Sequence, residues 1–358
     1  MINELAIKAH ILKKFSNALG VDISQLGSGV QGAGFLIEVR TPEGIRSYVI
    51  KSLLAEGLGH DYPSDRAAVF LLDLDEYNTL PNHVKAVDVL SEMEDGSIKS
   101  IGGGREYYLL MEKAQGTNYF DDLKLLAEKK RLDALDKDKI RSMTSYLARI
   151  HSVKKESAAL YRRKLRDTVG HGECLMGVFD TYPDGVIENS EMSNIIKKSV
   201  DWIIKLKPKH NRLSQIHGDF HPGNIWFTSA VRSPADRESG GTNFILLDRS
   251  RGPWGEPADD VTAMTINYIF FSIINFGDVS GAYKEGLQLF YDEYIRTSGD
   301  QEVTAVAAPF FAFRGAVVAN PVFYPEVTSQ QRMRIFKFVL NVLDDDSFHV
   351  ERVNNYLG

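Results

Sequence analysis

One stretch constrains this chain more than any other: Ile216-His217-Gly218-Asp219-Phe220-His221-Pro222-Gly223-Asn224-Ile225-Trp226-Phe227, followed at some distance by Phe244-Ile245-Leu246-Leu247-Asp248. It sets Asp219 and Asn224 on a Gly/Pro-rich turn between apolar runs short enough to be strands. A second carboxylate, Asp248, stands where the later apolar run ends. These residue types suit phosphoryl transfer. A hydroxyl attacking a terminal phosphate needs an acceptor for its proton, which Asp219 can supply. The amide oxygen of Asn224 and the carboxylate of Asp248 are hard oxygen ligands of the kind magnesium takes. Asp, Asn, Gly and Pro are also ordinary turn residues, so the pattern gains meaning from the preceding His-Gly, the flanking apolar runs and the downstream Asp taken together.

The Asp-x-x-x-x-Asn spacing matches the kinase catalytic loop, with His-Gly-Asp where protein kinases carry His-Arg-Asp. The whole string HGDFHPGNIWF resembles the catalytic loop of the aminoglycoside phosphotransferase and choline kinase superfamily, small-molecule kinases that share the protein-kinase fold. The resemblance implies an α+β, bilobal fold. Residues 1–113 would be a nucleotide-binding N-lobe, an antiparallel sheet of about five strands with one main helix. Residues 114–358 would be a mostly helical C-lobe with the catalytic loop and substrate pocket. ATP and Mg2+ would sit between the lobes. Asp219 would be the catalytic base or hydroxyl-orienting group, Asn224 and Asp248 the metal ligands, and His217 a structural support.

Composition fits two such lobes. The chain has 358 residues, 43% hydrophobic and 25% charged, enough for two real cores. A net charge of -6 without a basic strip gives no drive toward nucleic acid or an anionic membrane, so an anionic ligand must be held by a local site. The single cysteine, Cys174, excludes an internal disulfide framework and reads as a small core residue. MINELAIKAHILKKF lacks the apolar core of a signal peptide, and no run approaches membrane-spanning length, so a cytoplasmic location is the default.

Within the first lobe, apolar spacing predicts an amphipathic helix over residues 3–19, closed by Gly20. LGSGVQGAGFLIEVRTPEGIRSYVIKSL then reads as strand, glycine-rich turn, strand, turn and strand. Gly27, Gly29, Gly32 and Gly34 would let backbone amides approach phosphates, although a flexible hairpin tip has the same composition. By resemblance, Lys51 at the third strand's end grips the α- and β-phosphates. Its carboxylate partner would come from SDRAAVFLLDLDEYN, which offers Asp65, Asp73, Asp75 and Glu76. The resemblance favours Asp65, near the helix start, in place of the family's glutamate. Tyr107 to Lys113 resembles the inter-lobe hinge strand, which brings Glu112 and Lys113 to the nucleotide.

In the second lobe, DKDKIRSMTSYLARIHSVK predicts a helix over 136–154 with Ile140, Met143, Leu147 and Ile150 on one face, and His151 as a packed structural histidine. The polar segment between Phe227 and Phe244 reads as a long mobile hairpin loop. Arg249 and Ser250 follow Asp248 where protein kinases have Phe and Gly, against protein-kinase-style switching. By resemblance, Asp260 in the Gly-x-Pro-x-x-Asp run, or else Asp259, would brace the catalytic loop. Arg249 and Arg251 flank the site and would meet phosphate, an acidic substrate or surface carboxylates. INYIFFSIINF and FAFRGAVVANPVF are helix-length apolar segments to be buried, and Asp344, Asp345 and Asp346 read as a solvated turn or as acids for a cationic substrate. The implied activity is ATP-dependent phosphorylation of a hydroxyl on a sugar, amino sugar or amino alcohol. A protein Ser/Thr kinase, disfavoured by Gly218 in the arginine position, and a non-catalytic nucleotide-binding regulator are the alternatives.

Overall fold

The computed structural model describes residues 2–28, 32–55, 59–79, 84–228 and 242–358. The chain divides into two compact units, Met1–Met111 and Glu112–Gly358.

The first unit opens with α1 (Glu4–Lys14), capped by the Asn3 side chain, which accepts the Ala6 N–H at 3.2 Å. This helix stops short of the expected residue 19. Phe15 turns extended, its ring stacks on Tyr48 at 5.1 Å, and the Leu19 N–H already donates to Arg40 O. Gly20 therefore opens a strand instead of closing a helix. Strands β1 (Gly20–Ser28), β2 (Gly32–Thr41) and β3 (Gly44–Leu53) form one antiparallel sheet in that order. Strand alternation turns Ile37 and Val39 onto Ile7, Ile11 and Val21, making a small core between α1 and the sheet.

The register sets Gly27 beside Gly34 and Gly34 beside Lys51, so two residues without side chains adjoin the lysine across the sheet. Gly32 pairs with Leu53, and a Cβ there would lie 1.9 Å from Ser52 O, which only glycine avoids. Gly29 lies outside the described residues.

Helix α2 (Pro63–Tyr77) follows, then a separate hairpin of β4 (Leu90–Glu92) and β5 (Ile98–Ser100). The expected sheet of about five strands is thus a three-stranded sheet and a two-stranded one among the described residues. Tyr107 to Lys113 forms no strand. A strand exists through its ladder partners, and this segment has none among the described residues; Leu110 is 96% exposed.

The second unit is mainly helical. It begins with β6 (Thr117–Asn118) and α3 (Tyr119–Leu125). Helix α4 (Ala134–His151) starts in a capping box between Asp133 and Asp136 and buries Ile140, Met143 and Leu147 completely. Next come α5 (Ala158–Gly170), α6 (Leu175–Asp180), which begins beside buried Cys174, and α7 (Asn189–Leu206). Two short sheets frame the catalytic stretch: β7 (Ser214–Gln215) pairs with β10 (Trp254–Gly255), and β8 (Ile225–Thr228) lies between β6 and β9 (Asn243–Leu246). The loop expected between Phe227 and Phe244 falls mostly outside the described residues.

Helices α8 (Pro257–Phe276), α9 (Gly281–Ser298), α10 (Ala308–Val318) and α11 (Ser329–Asp344) complete the unit. Every residue of α8 from Pro257 to Ile273 is buried, which explains why INYIFFSIINF is apolar on all sides. Among the described residues no helix is long and apolar enough to cross a membrane. The acidic triplet is tied up locally: Asp344 pairs with Lys198, Asp346 with Lys205 at 2.8 Å, and Asp345 accepts the Tyr356 hydroxyl at 2.8 Å.

Gly32→Ala should lower stability by roughly 1–3 kcal/mol, because β2 and β3 must part to admit the methyl group. Urea denaturation measures this, and an unchanged midpoint would contradict the register described.

Candidate active site

The catalytic stretch is held by its neighbours' backbone. Asp260, fully buried in the first turn of α8, accepts the N–H groups of His217 and Gly218, each at 2.7 Å. His151 at the end of α4 steadies the carboxylate from the other side, with Nε2 3.2 Å from Asp260 Oδ2 and Nδ1 2.8 Å from the Tyr294 hydroxyl. Gly218 can present its N–H in this way because φ is +87° there, a conformation glycine adopts freely. The His217 ring then accepts the Asp219 N–H at 3.3 Å.

Beyond the turn, Asn224 Nδ2 donates to the Asp219 carbonyl at 3.0 Å, and Asn224 O accepts the Leu247 N–H at 3.0 Å. The β8–β9 pairing thereby brings Asp248 next to the catalytic turn. Asp248 is exposed and is the only non-glycine among the described residues with positive φ, +52°, so strand alternation breaks at this carboxylate. The residue types fit magnesium: the Asn224 amide nitrogen is spent on the Asp219 carbonyl, leaving Oδ1 free as a hard oxygen, and Asp248 follows Leu247, whose N–H bonds Asn224 O. Among the described residues no cluster of three or more His, Cys, Asp or Glu could hold a metal by itself. Magnesium bound through two protein oxygens, water and phosphates needs none.

A buried guanidinium that the sequence reading missed organises the remainder. Arg314, in α10, donates from Nη1 to Asp219 Oδ1 at 2.5 Å, and from Nη2 to Asp259 Oδ1 at 2.7 Å and Gly218 O at 3.0 Å. Lys164 of α5 holds the other Asp259 oxygen at 2.7 Å. The adjacent acids of α8 thus divide their work, Asp260 bracing the loop backbone and Asp259 fixing Arg314. The signal available in the sequence was a lone Arg inside FFAFRGAVV, since a charge on a buried helix must be paired.

Asp219 is 6% exposed. Burial pushes its carboxyl up, but the charges of Arg314 and then Arg251 outweigh that and hold it below the usual carboxylate range. For Asp259, burial is likewise outweighed by Lys164 and Arg314, which bring it down to about 2. Burial lowers the His221 pKa against the pull of Asp219, and Arg314 and Arg251 add to the lowering. Its Nε2 lies 3.8 Å from Asp219 Oδ2.

The two flanking arginines differ. Arg249 donates to Ile216 O at 2.9 and 3.0 Å and serves as a backbone clamp. Arg251 reaches within 3.7 Å of Asp219 Oδ2 and lies over the Phe313 ring at 5.0 Å. Its Nε and Nη1 are buried without hydrogen-bond partners, each a cost of roughly 1–3 kcal/mol. Asp219, His221, Arg251 and Arg314 open onto a pocket within the second unit. Phe120, Ile266, Val317 and Val318 give it an apolar wall, with Asn267 and Tyr324 beside them.

The remaining predicted positions lie in or beside the first unit. Lys51 Nζ is 4.0 Å from Asp73 Oδ2, one of the four acids of that segment. Asp65, the favoured partner, instead caps its own helix, accepting the Tyr62 N–H at 2.7 Å. Being at N3 of α2, its short side chain folds back on the helix start. Glu112 and Lys113 are exposed in irregular chain.

The chain is similar to solved structures of small-molecule kinases. A Plasmodium vivax ethanolamine kinase is 15% identical, with 94% of this chain and 80% of that chain covered and a TM-score of 0.33. Aminoglycoside 2'-phosphotransferase-IIIa in its GDP complex is 12% identical, with coverages of 96% and 98% and a TM-score of 0.32. A glucosamine kinase in complex with glucosamine, ADP and inorganic phosphate is 13% identical, with coverages of 94% and 91% and a TM-score of 0.37. No protein-family model and no curated protein sequence matches the chain.

Arg314→Met should destabilise the second unit by about 3–5 kcal/mol, since Asp219 and Asp259 lose a shared buried cation. The depressed carboxyls also set the sign of an acid effect. Their contribution is present above the unfolded carboxylate range and disappears as pH falls toward the value of about 2 at Asp259. Denaturation midpoints between pH 5 and 2.5 should fall steeply for wild type and more gently for Arg314→Met, and parallel profiles would refute the assignment.

Proposed function

We propose that this protein transfers the γ-phosphoryl group of ATP to a hydroxyl of a small molecule. The observation that carries the reading is the arrangement of three groups: Asp219 at the pocket, Asn224 hydrogen-bonded to the Asp219 carbonyl, and Asp248 delivered beside Asn224 by strand pairing.

Asp219 would work through its Oδ2, because Oδ1 is taken by Arg314. A carboxylate held below its usual range is a weak base toward an alcohol in the ground state. It orients the hydroxyl by accepting its hydrogen bond, then takes the proton at Oδ2 as the new O–P bond makes that proton acidic. Asn224 Oδ1 and the Asp248 carboxylate would hold magnesium, which when bound neutralises phosphate oxygens. Asp260 and His217 keep the loop in the conformation this geometry requires. Lys51, with the glycines Gly27, Gly32 and Gly34 near it on the sheet, is assigned to the nucleotide phosphates, and Glu112 and Lys113 to the nucleotide more broadly. Catalysis is then mainly positioning and charge neutralisation.

Transfer of labelled γ-phosphate from Mg-ATP into the small-molecule fraction of a cell extract tests the reading. Asp219→Asn should lower turnover by roughly two to four orders of magnitude while the protein stays folded. Unchanged turnover, or label on proteins alone, would overturn the assignment. Asp248→Ala should weaken magnesium-dependent ATP binding, and a metal titration identical to wild type would remove Asp248 from the ligand set.

A further inference from the structure

We propose that the hydroxyl acceptor carries an oxyanion, a carboxylate or a phosphate ester, and that Arg251 binds it. The inference rests on the phosphotransferase reading and narrows its substrate. Three cations, Lys164, Arg251 and Arg314, face two carboxylates, Asp219 and Asp259. Lys164 and Arg314 are both committed to short ion pairs. Arg251 is the cation left over. It reaches Asp219 only at 3.7 Å, and its Nε and Nη1 have no partner although both are buried.

A guanidinium offers two parallel donors to a planar or tetrahedral oxyanion, and stacking on Phe313 at 5.0 Å fixes the plane of this one. Asp219 is the single carboxylate in the pocket lining, and Arg314 already occupies its Oδ1. An ammonium group on the acceptor would therefore meet two guanidiniums, and the one open carboxylate oxygen, Asp219 Oδ2, is taken by the reacting hydroxyl. The wall of Phe120, Ile266, Val317 and Val318 identifies the space as one for an acceptor's carbon skeleton, since a phosphate chain has no use for apolar walls. An anionic hydroxy compound places its oxyanion on Arg251 and its hydroxyl on Asp219 Oδ2. An amino sugar or amino alcohol does not.

The test is a metabolite extract separated by charge before the reaction into cationic, neutral and anion-exchanger-retained fractions. Each is supplied with γ-labelled Mg-ATP and the full-length protein, with Asp219→Asn as background. Label should enter the anionic fraction. Prior phosphatase treatment of that fraction separates the two sources: acceptor activity persists for a carboxylate and disappears for a phosphate ester. With the purified acceptor, Arg251→Gln should raise the acceptor KM by roughly 10- to 100-fold, with the ATP KM little changed.

Label in the cationic or neutral fraction overturns the proposal and leaves the kinase reading standing. A fall in kcat at constant acceptor KM also overturns it, moving Arg251 to the phosphoryl group in transfer. If folded, ATP-binding protein labels no fraction, the kinase reading fails and this proposal with it. Should Arg251→Gln not fold, Arg251→Lys decides the point. A point charge replaces the fork, so a smaller rise in acceptor KM supports the assignment, and none refutes it.

Discussion

A buried arginine with two acidic partners is the constraint on which the second unit depends. Arg314 is 4% exposed, and a guanidinium so placed is tolerable only if its charge and donors are met. Asp219, Asp259 and the Gly218 carbonyl meet three of its five N–H groups, and its Nε stays unpaired. The cost of burying this ion makes the geometry specific. Moving α10 relative to the catalytic turn would strand a cation on one side and two carboxylates on the other. The Asp219 carboxylate, which lines the pocket, is thereby restrained at Oδ1.

The same economy of placement appears in α8. Consecutive residues of a helix point about 100° apart. Asp259 and Asp260 consequently serve different neighbours, the first the Arg314–Lys164 pair and the second the N–H groups of His217 and Gly218. Glu256, also fully buried, secures the start of the helix by accepting the Tyr161 hydroxyl at 2.7 Å and pairing with Arg212 at 2.7 Å. One helix N-terminus thus carries three buried acids, each satisfied, and its dipole favours all of them. Asp248 stands apart from this network, exposed and in a left-handed conformation. Such a residue remains available to a ligand outside the protein's own hydrogen-bond scheme.

Much of the site is legible because it is local. Asp219 and Asn224 are tied through one turn, and the pairing of two short apolar strands delivers Asp248, so the catalytic string already implies their proximity. The brace at Asp260 was legible as well, although the string left Asp259 as an alternative. Less local features escaped. Arg314 lies 95 positions from Asp219, and nothing along the chain says which buried acid a lone arginine will meet. The end of α1 escaped because Phe15 is drawn to Tyr48 on β3, a tertiary contact stronger than the helical spacing that extends past it. The strand expected at Tyr107 to Lys113 has the apolar letters of a strand but no ladder partner among the described residues.

Sequence by itself determined the α+β class, the turn that joins Asp219 to Asn224, and the buried character of α8 and α10. These follow from periodicity and from short-range geometry, in which residue type and spacing leave few outcomes. Tertiary structure alone decided the electrostatic balance of the pocket. Whether Arg249 or Arg251 faces it, whether Asp65 or Asp73 lies near Lys51, and whether the acidic triplet at Asp344 to Asp346 reaches it are matters of distance between segments remote in the chain. Charges act through space over a few ångströms, so their effect is fixed only once packing has set those distances.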